Sequence, residues 1–344
     1  MIYLVTTIQK NGMKKALKLI GWVLGLVVLV VVAGMTYVKF ALPNVGQAPE
    51  LKVESTPARI ERGAYLANHV VVCMDCHSTR NYELFSAPLV AGTLGKGGEV
   101  FDQRAGFPGT FTSKNITPFG IGSWTDGEIY RAITTGVSRD GHAFFPVMPY
   151  PYYGQMNDED VKSIIAYLRT LPAIENKPAD SQADFPFNFI INTIPKAANP
   201  LPMPAATDEV GRGKYLITIA GCVECHTPFE NGQLILDKMY AGGRNFELPT
   251  GTVYSPNLTP DSETGLGRMT KEAFIARFKA YADSSYQPQK IGPGEFQTIM
   301  PWMMYAGMKE EDLGAIYTFL KTLEPVKNLI PERFVPVGTS VALR

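Results

Sequence analysis

The chain has 344 residues, enough for two or three domains, and its 45% hydrophobic and 19% charged residues are typical of a globular protein. Of the 32 basic residues, five lysines precede Ala41, where no acidic residue occurs, so the remainder has 27 basic against 32 acidic residues. Nucleic-acid binding requires a clustered basic face, and this charge balance therefore argues against a nucleic acid as partner.

An uncharged stretch of twenty residues runs from Leu19 to Val38 and is long enough to cross the hydrocarbon core of a membrane. Four lysines lie just before it, which predicts a cytoplasmic N-terminus. We expect a cytoplasmic tail over 1–18, an inner-membrane anchor over 19–40 and a linker over 41–57, with the following domains in the periplasm. The alternative is a cleaved signal peptide, although its apolar region is usually shorter.

All four cysteines belong to one motif that occurs twice, as Cys73-Met74-Asp75-Cys76-His77 and Cys222-Val223-Glu224-Cys225-His226. The C-x-x-C-H pattern attaches c-type haem, because two thiols reach one edge of the porphyrin while the adjoining imidazole meets the iron. We predict two covalently attached haem c groups with His77 and His226 as iron ligands. A zinc site or a redox dithiol is an alternative that gives no reason for a histidine after both pairs.

The two haem motifs lie within an internal duplication. Matching segments precede each motif, follow it and end each repeat: Arg62-Gly63-Ala64-Tyr65-Leu66 with Arg212-Gly213-Lys214-Tyr215-Leu216, 115–118 with 257–260, 147–150 with 299–302, and 158–171 with 310–323. We expect one haem domain over 58–176, an interdomain linker over 177–206, a second haem domain over 207–335 and a tail over 336–344. The linker holds apolar residues, among them Phe185, Phe187 and Ile190, which we expect to lie over the domain surfaces rather than in water.

Each repeat carries a Met-Pro pair at a similar distance after its motif, at Met148 and Met300. A thioether on the far side of the iron gives His/Met ligation, which raises the reduction potential. Met148 and Met300 are therefore the predicted distal ligands, because the following proline fixes the backbone of a ligand loop. Other methionines are alternatives or packing residues: Met303 and Met304 are weaker candidates, and Met156 and Met308 are expected to pack before the last helix.

Two histidines and two asparagines remain to be interpreted. Neither His69 nor His142 is repeated, so each is expected to be solvated or hydrogen-bonded rather than an iron ligand. Asn115 and Asn257, in the repeated N-I/L-T-P segment, are candidate haem-binding residues through the propionates, or else they build turns.

The local patterns predict helices. The last segment of each repeat is apolar at helical spacing, with acidic residues in its first turn. Gly63 and Gly213 leave room for another helix to cross closely, with Tyr167 and Phe319 as large partners on the terminal helices. Thr125 to Glu128 forms a capping-box pattern that predicts a further helix through Ile133. The expected fold is all-α: one N-terminal transmembrane helix followed by two tandem cytochrome c-type haem domains with long loops and at most minor strand content.

These segments resemble class I cytochrome c domains, specifically those in the cytochrome subunits of bacterial membrane-bound alcohol, aldehyde and gluconate dehydrogenases. The resemblance extends from Arg59 to Leu323. It implies electron transfer from a dehydrogenase partner towards quinone or an oxidase. The chain departs from that family in having two haem motifs where three are usual, and an N-terminal rather than C-terminal membrane segment.

The function predicted from the sequence is that of a membrane-anchored dihaem cytochrome c. It relays single electrons between a donor, either a dehydrogenase or a quinol-oxidising complex, and an acceptor such as a terminal oxidase. With both irons six-coordinate the protein is not expected to be catalytic alone. The alternative is a dihaem cytochrome c peroxidase, in which one haem lacks its distal ligand and the second Met-Pro has no role.

Overall fold

The computed structural model describes residues 2–230 and 232–338, with side chains from Met13 onward. Residues 339–344 of the predicted tail lie outside the described residues. The first helix, α1, is continuous over Ile2–Phe40, so the predicted tail and anchor form one element. Its segment Met13–Phe40 has the length and composition of a membrane span, criteria that a signal sequence also meets. Its apolar side chains face outward, and Trp22 is 79% exposed.

Twelve further α-helices follow α1 among the described residues. In chain order they are α2 (Pro57–Tyr65), α3 (Cys73–Cys76), α4 (Pro118–Ile121), α5 (Asp126–Thr135), α6 (Tyr150–Tyr153), α7 (Asp158–Thr170), α8 (Phe187–Ile190), α9 (Glu209–Ile219), α10 (Cys222–His226), α11 (Lys271–Lys279), α12 (Trp302–Tyr305) and α13 (Glu310–Leu320). A π-helical turn, Leu66–Val70, extends α2. The predicted capping box is confirmed, because Thr125 and Glu128 exchange side-chain and backbone hydrogen bonds at the start of α5.

Each repeat is built around one pair of crossing helices, α2 on α7 and α9 on α13. A Cβ atom on Gly63 would lie 1.8 Å from the backbone oxygen of Ser163, and one on Gly213 would lie 1.9 Å from that of Ala315. Only glycine permits this approach, so the predicted close crossing is confirmed in both repeats. The apolar faces of the terminal helices are buried in the core, as expected from their spacing.

The fold is not purely helical, because short antiparallel strands form in the loops. They are β1 (Val100–Phe101), β2 (Gly109–Thr112), β3 (Gln182–Ala183), β4 (Phe229–Glu230), β5 (Gln233–Leu234), β6 (Asn245–Leu248), β7 (Gly251–Tyr254) and β8 (Phe334–Pro336). The sheet orders are β1-β2-β3, β4-β5 and β6-β7-β8. In each repeat the chain returns after the terminal helix and adds the third strand. The all-α prediction is corrected accordingly.

These strands also bear on the expected linker. The strand β3 lies within 177–206 yet pairs with β2 of the first repeat, with Gly109 opposite Ala183. In the second repeat, Gly251 pairs with Pro336 in the same way. The chain therefore stays attached to the first repeat for several residues after the predicted end of that domain.

The two repeats meet through reciprocal contacts between equivalent residues. Tyr215 of the second repeat donates a hydrogen bond to Asp160 of the first at 2.7 Å. Tyr65 of the first repeat donates to Asp312 of the second at 2.5 Å. The two repeats are therefore related, at this contact, as the halves of a two-fold symmetric dimer are.

Three apolar residues of the linker are exposed. Phe185 is 76% exposed, Phe187 36% and Ile190 40%. The expectation that they lie over the domain surfaces is therefore wrong for these three side chains. The segment that carries them, α8 with the following 3-10 turn Ile191–Thr193, instead packs beside α1.

Candidate functional site: two cysteine-histidine motifs

Each cysteine pair lies on a short helix, α3 or α10, which places the two thiols one turn apart. The residue before each helix adopts the left-handed backbone conformation, with φ of 46° at Val72 and 64° at Gly221. This conformation is free for glycine but strained for a β-branched residue, so the start of α3 is held in place by its surroundings. All four thiols are free. Burial raises the pKa of Cys73, Cys76 and Cys222 to about 12 and that of Cys225 to about 11.

The histidine that follows each pair is held by a backbone carbonyl. Nδ1 of His77 lies 2.6 Å from the oxygen of Lys114, and Nδ1 of His226 lies 3.0 Å from that of Pro256. Because a carbonyl can only accept, Nδ1 carries the proton and Nε2 keeps its lone pair. Burial lowers the pKa of both rings, that of His226 to about 4, so both imidazoles are neutral. A neutral imidazole with a fixed tautomer is the form that binds a metal.

The methionines fall into two groups. Met148 and Met300 are partly buried at the edge of the core, each immediately before a proline that starts a short helix, α6 or α12. Met156 and Met308 are 1% and 2% exposed within the core, so they are packing residues as expected. Met303 and Met304 line a cleft of about 260 Å³ between the repeats.

The side chains of Asn115 and Asn257 use their full hydrogen-bonding capacity within the protein. The Oδ1 of Asn115 accepts from the amide and hydroxyl of Thr117, while Nδ2 donates to the carbonyls of Ile174 and Asn176. Asn257 is satisfied in the same pattern. No donor remains for a propionate in this geometry, which supports the turn-building alternative over the haem-binding one.

The two remaining histidines are hydrogen-bonded within the protein, as expected. Nδ1 of His69 lies 2.9 Å from the carbonyl oxygen of Met304, across the junction between the repeats. His142 is exposed and pairs through Nδ1 with Asp140 at 2.6 Å. Ser138 also contacts the His142 ring. Each ring thus has a protein partner at Nδ1.

Sequence reasoning missed the contacts that reach from one repeat into the site of the other. Ser86 donates to the carbonyl oxygen of Met300 at 2.6 Å and accepts from the amide of Trp302. Tyr152, on the first ligand loop, donates to Glu224 within the second cysteine motif at 2.5 Å. Such contacts join residues 72 to 216 positions apart, and nothing in the local pattern indicates them.

A repeated tyrosine lies where both motifs come together, and its recurrence at Tyr153 and Tyr305 was a signal that could have been found in the sequence. Burial, and then the neighbouring Cys222 and Cys225, raise the pKa of Tyr305 well above its ordinary value, and Asp75 and Cys76 of the first motif contribute as well. Tyr305 is itself buried, with 8% of its surface exposed.

The donor set fits a c-type haem in each repeat. Each repeat offers two thiols one helical turn apart, an imidazole with a free Nε2 and a partly buried thioether. Tyr150, two residues after Met148, also has a buried hydroxyl with no hydrogen-bond partner among the described residues, and a bound polar group would supply one. Within the described part of the chain, no three acidic, histidine or cysteine side chains converge as a metal site of the kind a zinc ion needs.

This arrangement is of the kind that c-type cytochromes use to hold haem, and the chain is similar to known cytochromes c. No family model matches the chain. It is 29% identical over 291 residues to the alcohol dehydrogenase (quinone) cytochrome c subunit of Gluconacetobacter polyoxogenes, covering 79% of this chain and 58% of that protein. It is 30% identical over 291 residues to the fructose dehydrogenase cytochrome subunit of Gluconobacter japonicus, covering 78% and 54%. A diheme cytochrome c-type protein of Cereibacter sphaeroides is 34% identical over 163 residues, covering 44% and 54%.

The chain is thus a homologue of cytochrome c subunits of bacterial alcohol, fructose and gluconate dehydrogenases. These relationships imply covalently bound haem c. The chain spans little more than half the length of the dehydrogenase subunits it matches.

Proposed function

We propose that this protein is a membrane-anchored dihaem cytochrome c that relays single electrons from a dehydrogenase to a respiratory acceptor. The observation that carries the proposal is the pair of Nδ1–carbonyl hydrogen bonds at His77 and His226. In each of two C-x-x-C-H motifs, this bond leaves Nε2 as an iron ligand. When bound, haem c supplies the one-electron chemistry of its iron.

In this proposal, four cysteines hold the two haems covalently and four side chains bind the irons. The iron ligands are His77 with Met148 in the first repeat and His226 with Met300 in the second. The protein fixes the imidazole tautomers, keeps the thiols protonated and buried until they are attached, and positions each thioether on a proline-terminated loop. His/Met ligation favours a higher reduction potential than two imidazoles do.

Haem content and ligation are tested on the purified protein. We expect a pyridine haemochrome assay and the intact mass to give two covalent haems per chain. Met148→Leu and Met300→Leu should each change the optical spectrum of one haem and lower its potential. Met156→Leu and Met308→Leu are matched controls, because these side chains are 1% and 2% exposed in the core and the change costs less than about 1.5 kcal/mol. Spectra unaffected by the first pair of substitutions would contradict the ligand assignment.

The same spectra separate electron relay from peroxidase activity. The repeated Met-Pro loops support two six-coordinate, low-spin haems. A wholly high-spin signal from one haem in the resting or half-reduced protein would favour the dihaem peroxidase instead.

A dehydrogenase partner and a periplasmic location are also part of the proposal. The named relatives are cytochrome subunits of dehydrogenases, and the lysines before the apolar part of α1 favour a cytoplasmic N-terminus. Purification of the native complex in mild detergent should recover a dehydrogenase subunit with this chain. Protease added to spheroplasts should digest the haem domains and spare the N-terminus. Recovery of the chain only as a lone monomer would count against the complex.

A further inference from the structure

An exposed apolar face lies in the connection between the two repeats. It consists of Phe185, Phe187, Phe189 and Ile190, and we call it the linker face. At least a third of the surface of Phe185, Phe187 and Ile190 is exposed. The rings of Phe185 and Phe189 pack edge to face with centroids 6.4 Å apart. The eleven residues 185–195 contain no charge, while Asp184 and Lys196 flank them. An uncharged, contiguous apolar face of this kind marks an interaction site.

The position of the linker face indicates what covers it. The segment packs against the C-terminal end of α1, where Nδ2 of Asn192 donates to the carbonyl oxygen of Val38 at 3.3 Å. Tyr37 and Phe40, at the same end of α1, are 61% and 82% exposed. Aromatic side chains concentrate where a membrane span meets water. The linker face therefore continues the exposed surface of the candidate membrane helix at the level where that helix leaves the bilayer.

From this juxtaposition we infer that the linker face inserts into the outer boundary of the lipid bilayer beside α1. The inference rests on the anchoring part of the proposed function, namely that α1 spans the membrane. Apolar side chains enter the boundary between headgroups and acyl chains, while the backbone stays within reach of water and headgroups. A second attachment next to the helix restricts how the haem domains rotate about the end of α1. The haem sites are thereby held at a fixed height and orientation above the membrane.

Tryptophan fluorescence in vesicles tests the inference on the full-length, haem-loaded chain. Phe187→Trp is compared with Leu329→Trp, a control at an apolar residue that is 74% exposed and lies in the second repeat, away from the linker. Both proteins are reconstituted in phosphatidylethanolamine/phosphatidylglycerol vesicles with or without lipids brominated near the headgroup end of the acyl chains. We expect the emission added by Phe187→Trp to fall about twofold or more with brominated lipid and that added by Leu329→Trp to stay unchanged. Equal behaviour of the two would overturn the inference.

Native Trp22, within α1, distinguishes the possible failures. Quenching of Trp22 by lipid brominated deep in the acyl chain reports the anchor, and haem content is measured on the same samples. If Trp22 is quenched but the emission added by Phe187→Trp is not, the linker face is exposed to water or covered by another protein. In that case the inference fails while the membrane anchor stands. If Trp22 is not quenched either, the anchor fails with it.

A measurement on the unmodified chain avoids any dependence on variants. A lipid carrying a photoactivatable diazirine in its acyl chain is included in the same vesicles, and labelled peptides are identified by mass spectrometry. We expect label in α1 and in residues 185–191, and none near Leu329. Labelling confined to α1 would overturn the inference.

Discussion

Tyr215 places its hydroxyl 2.7 Å from a carboxylate oxygen of Asp160, joining the helix before the second haem motif to the terminal helix of the first repeat. Asp160 is buried and is also held by Arg62 of its own repeat through two hydrogen bonds of 2.8 Å. The amide of Asn157 donates to the same hydroxyl. One phenol therefore satisfies a buried carboxylate and a backbone donor across the junction between the repeats.

Tyr215→Phe is expected to destabilise the protein by about 1.5 to 3 kcal/mol, because the substitution removes a hydrogen bond to a charged group and leaves the Asn157 amide without its acceptor. Urea denaturation of the haem-loaded protein measures the change. Tyr130→Phe is the matched control: its hydroxyl donates to Asp158 at 2.6 Å, but within one repeat and at an exposed site. The control should cost no more than about 1 kcal/mol. Equal losses in the two variants would contradict a special role for the junction.

Alkaline pH should weaken the same junction. Burial, and then the neighbouring aspartates, raise the pKa of Tyr65 and Tyr215 above the ordinary value of 10.0. Below that pH both phenols are neutral in the folded and unfolded chain, so their contribution to stability is complete. As the pH rises past 10.0, the unfolded chain ionises first, and each tyrosine lowers the free energy of unfolding by up to about 1.4 kcal/mol per pH unit.

Denaturation midpoints between pH 8 and pH 11 check this dependence. The double variant Tyr65→Phe/Tyr215→Phe should be less stable at pH 8 but should lose stability less steeply above pH 10. An unchanged slope would mean that these two phenols do not carry the effect.

Gly213→Ala should destabilise the second repeat by about 1 to 3 kcal/mol, the usual cost of overpacking. The added methyl group would meet the backbone oxygen of Ala315, which cannot move without displacing α13. Gly314→Ala is the control on the facing helix, because its methyl group would meet only side-chain atoms at 3.5 Å or more. Better helix propensity should leave that variant neutral or slightly stabilised. Thermal unfolding measures the stability of both variants and of the wild type. A Gly213→Ala protein as stable as wild type would argue against the close crossing of α9 and α13.

Ser86→Ala should alter the second haem site and leave the first one unchanged. Ser86 belongs to the first repeat, yet its hydroxyl holds the backbone on both sides of Pro301 in the second ligand loop. Ser86 is therefore a positioning residue for Met300. A redox titration resolved by wavelength should show a shifted potential for one haem only. Equal shifts of both haems, or of neither, would contradict this assignment.

Local sequence patterns were sufficient for the terminal helix of each repeat, for α5 and for the two helix crossings. The spacing of apolar residues predicted α7 and α13, and glycine at the same place in both repeats predicted the helix crossings. These features depend on residues that are neighbours in sequence or that recur in the duplication. The four cysteines and the histidines after them carry their chemistry in a single five-residue pattern.

Contacts between distant segments could not be predicted in this way. The strand β8 pairs with β7 about eighty residues earlier, in loops without strand periodicity, so the sheets were missed. The exposure of Phe185, Phe187 and Ile190 could not be predicted either, because it depends on packing of this segment beside α1, about 150 residues earlier in the chain. The two roles open to Asn115 and Asn257 could not be separated from the sequence, because their partners, the carbonyls after the terminal helices, lie about sixty to seventy residues away.

Fusion of the two repeats into one polypeptide has a consequence for how they diverge. In a homodimer each substitution occurs in both subunits, because both have the same sequence. The two halves of its interface therefore remain identical. Here the paired contacts of Tyr65 and Tyr215 keep the symmetric arrangement, while Ser86 and His69 each occupy one side only. Covalent linkage thus allows one candidate site to change while the other stays as it is.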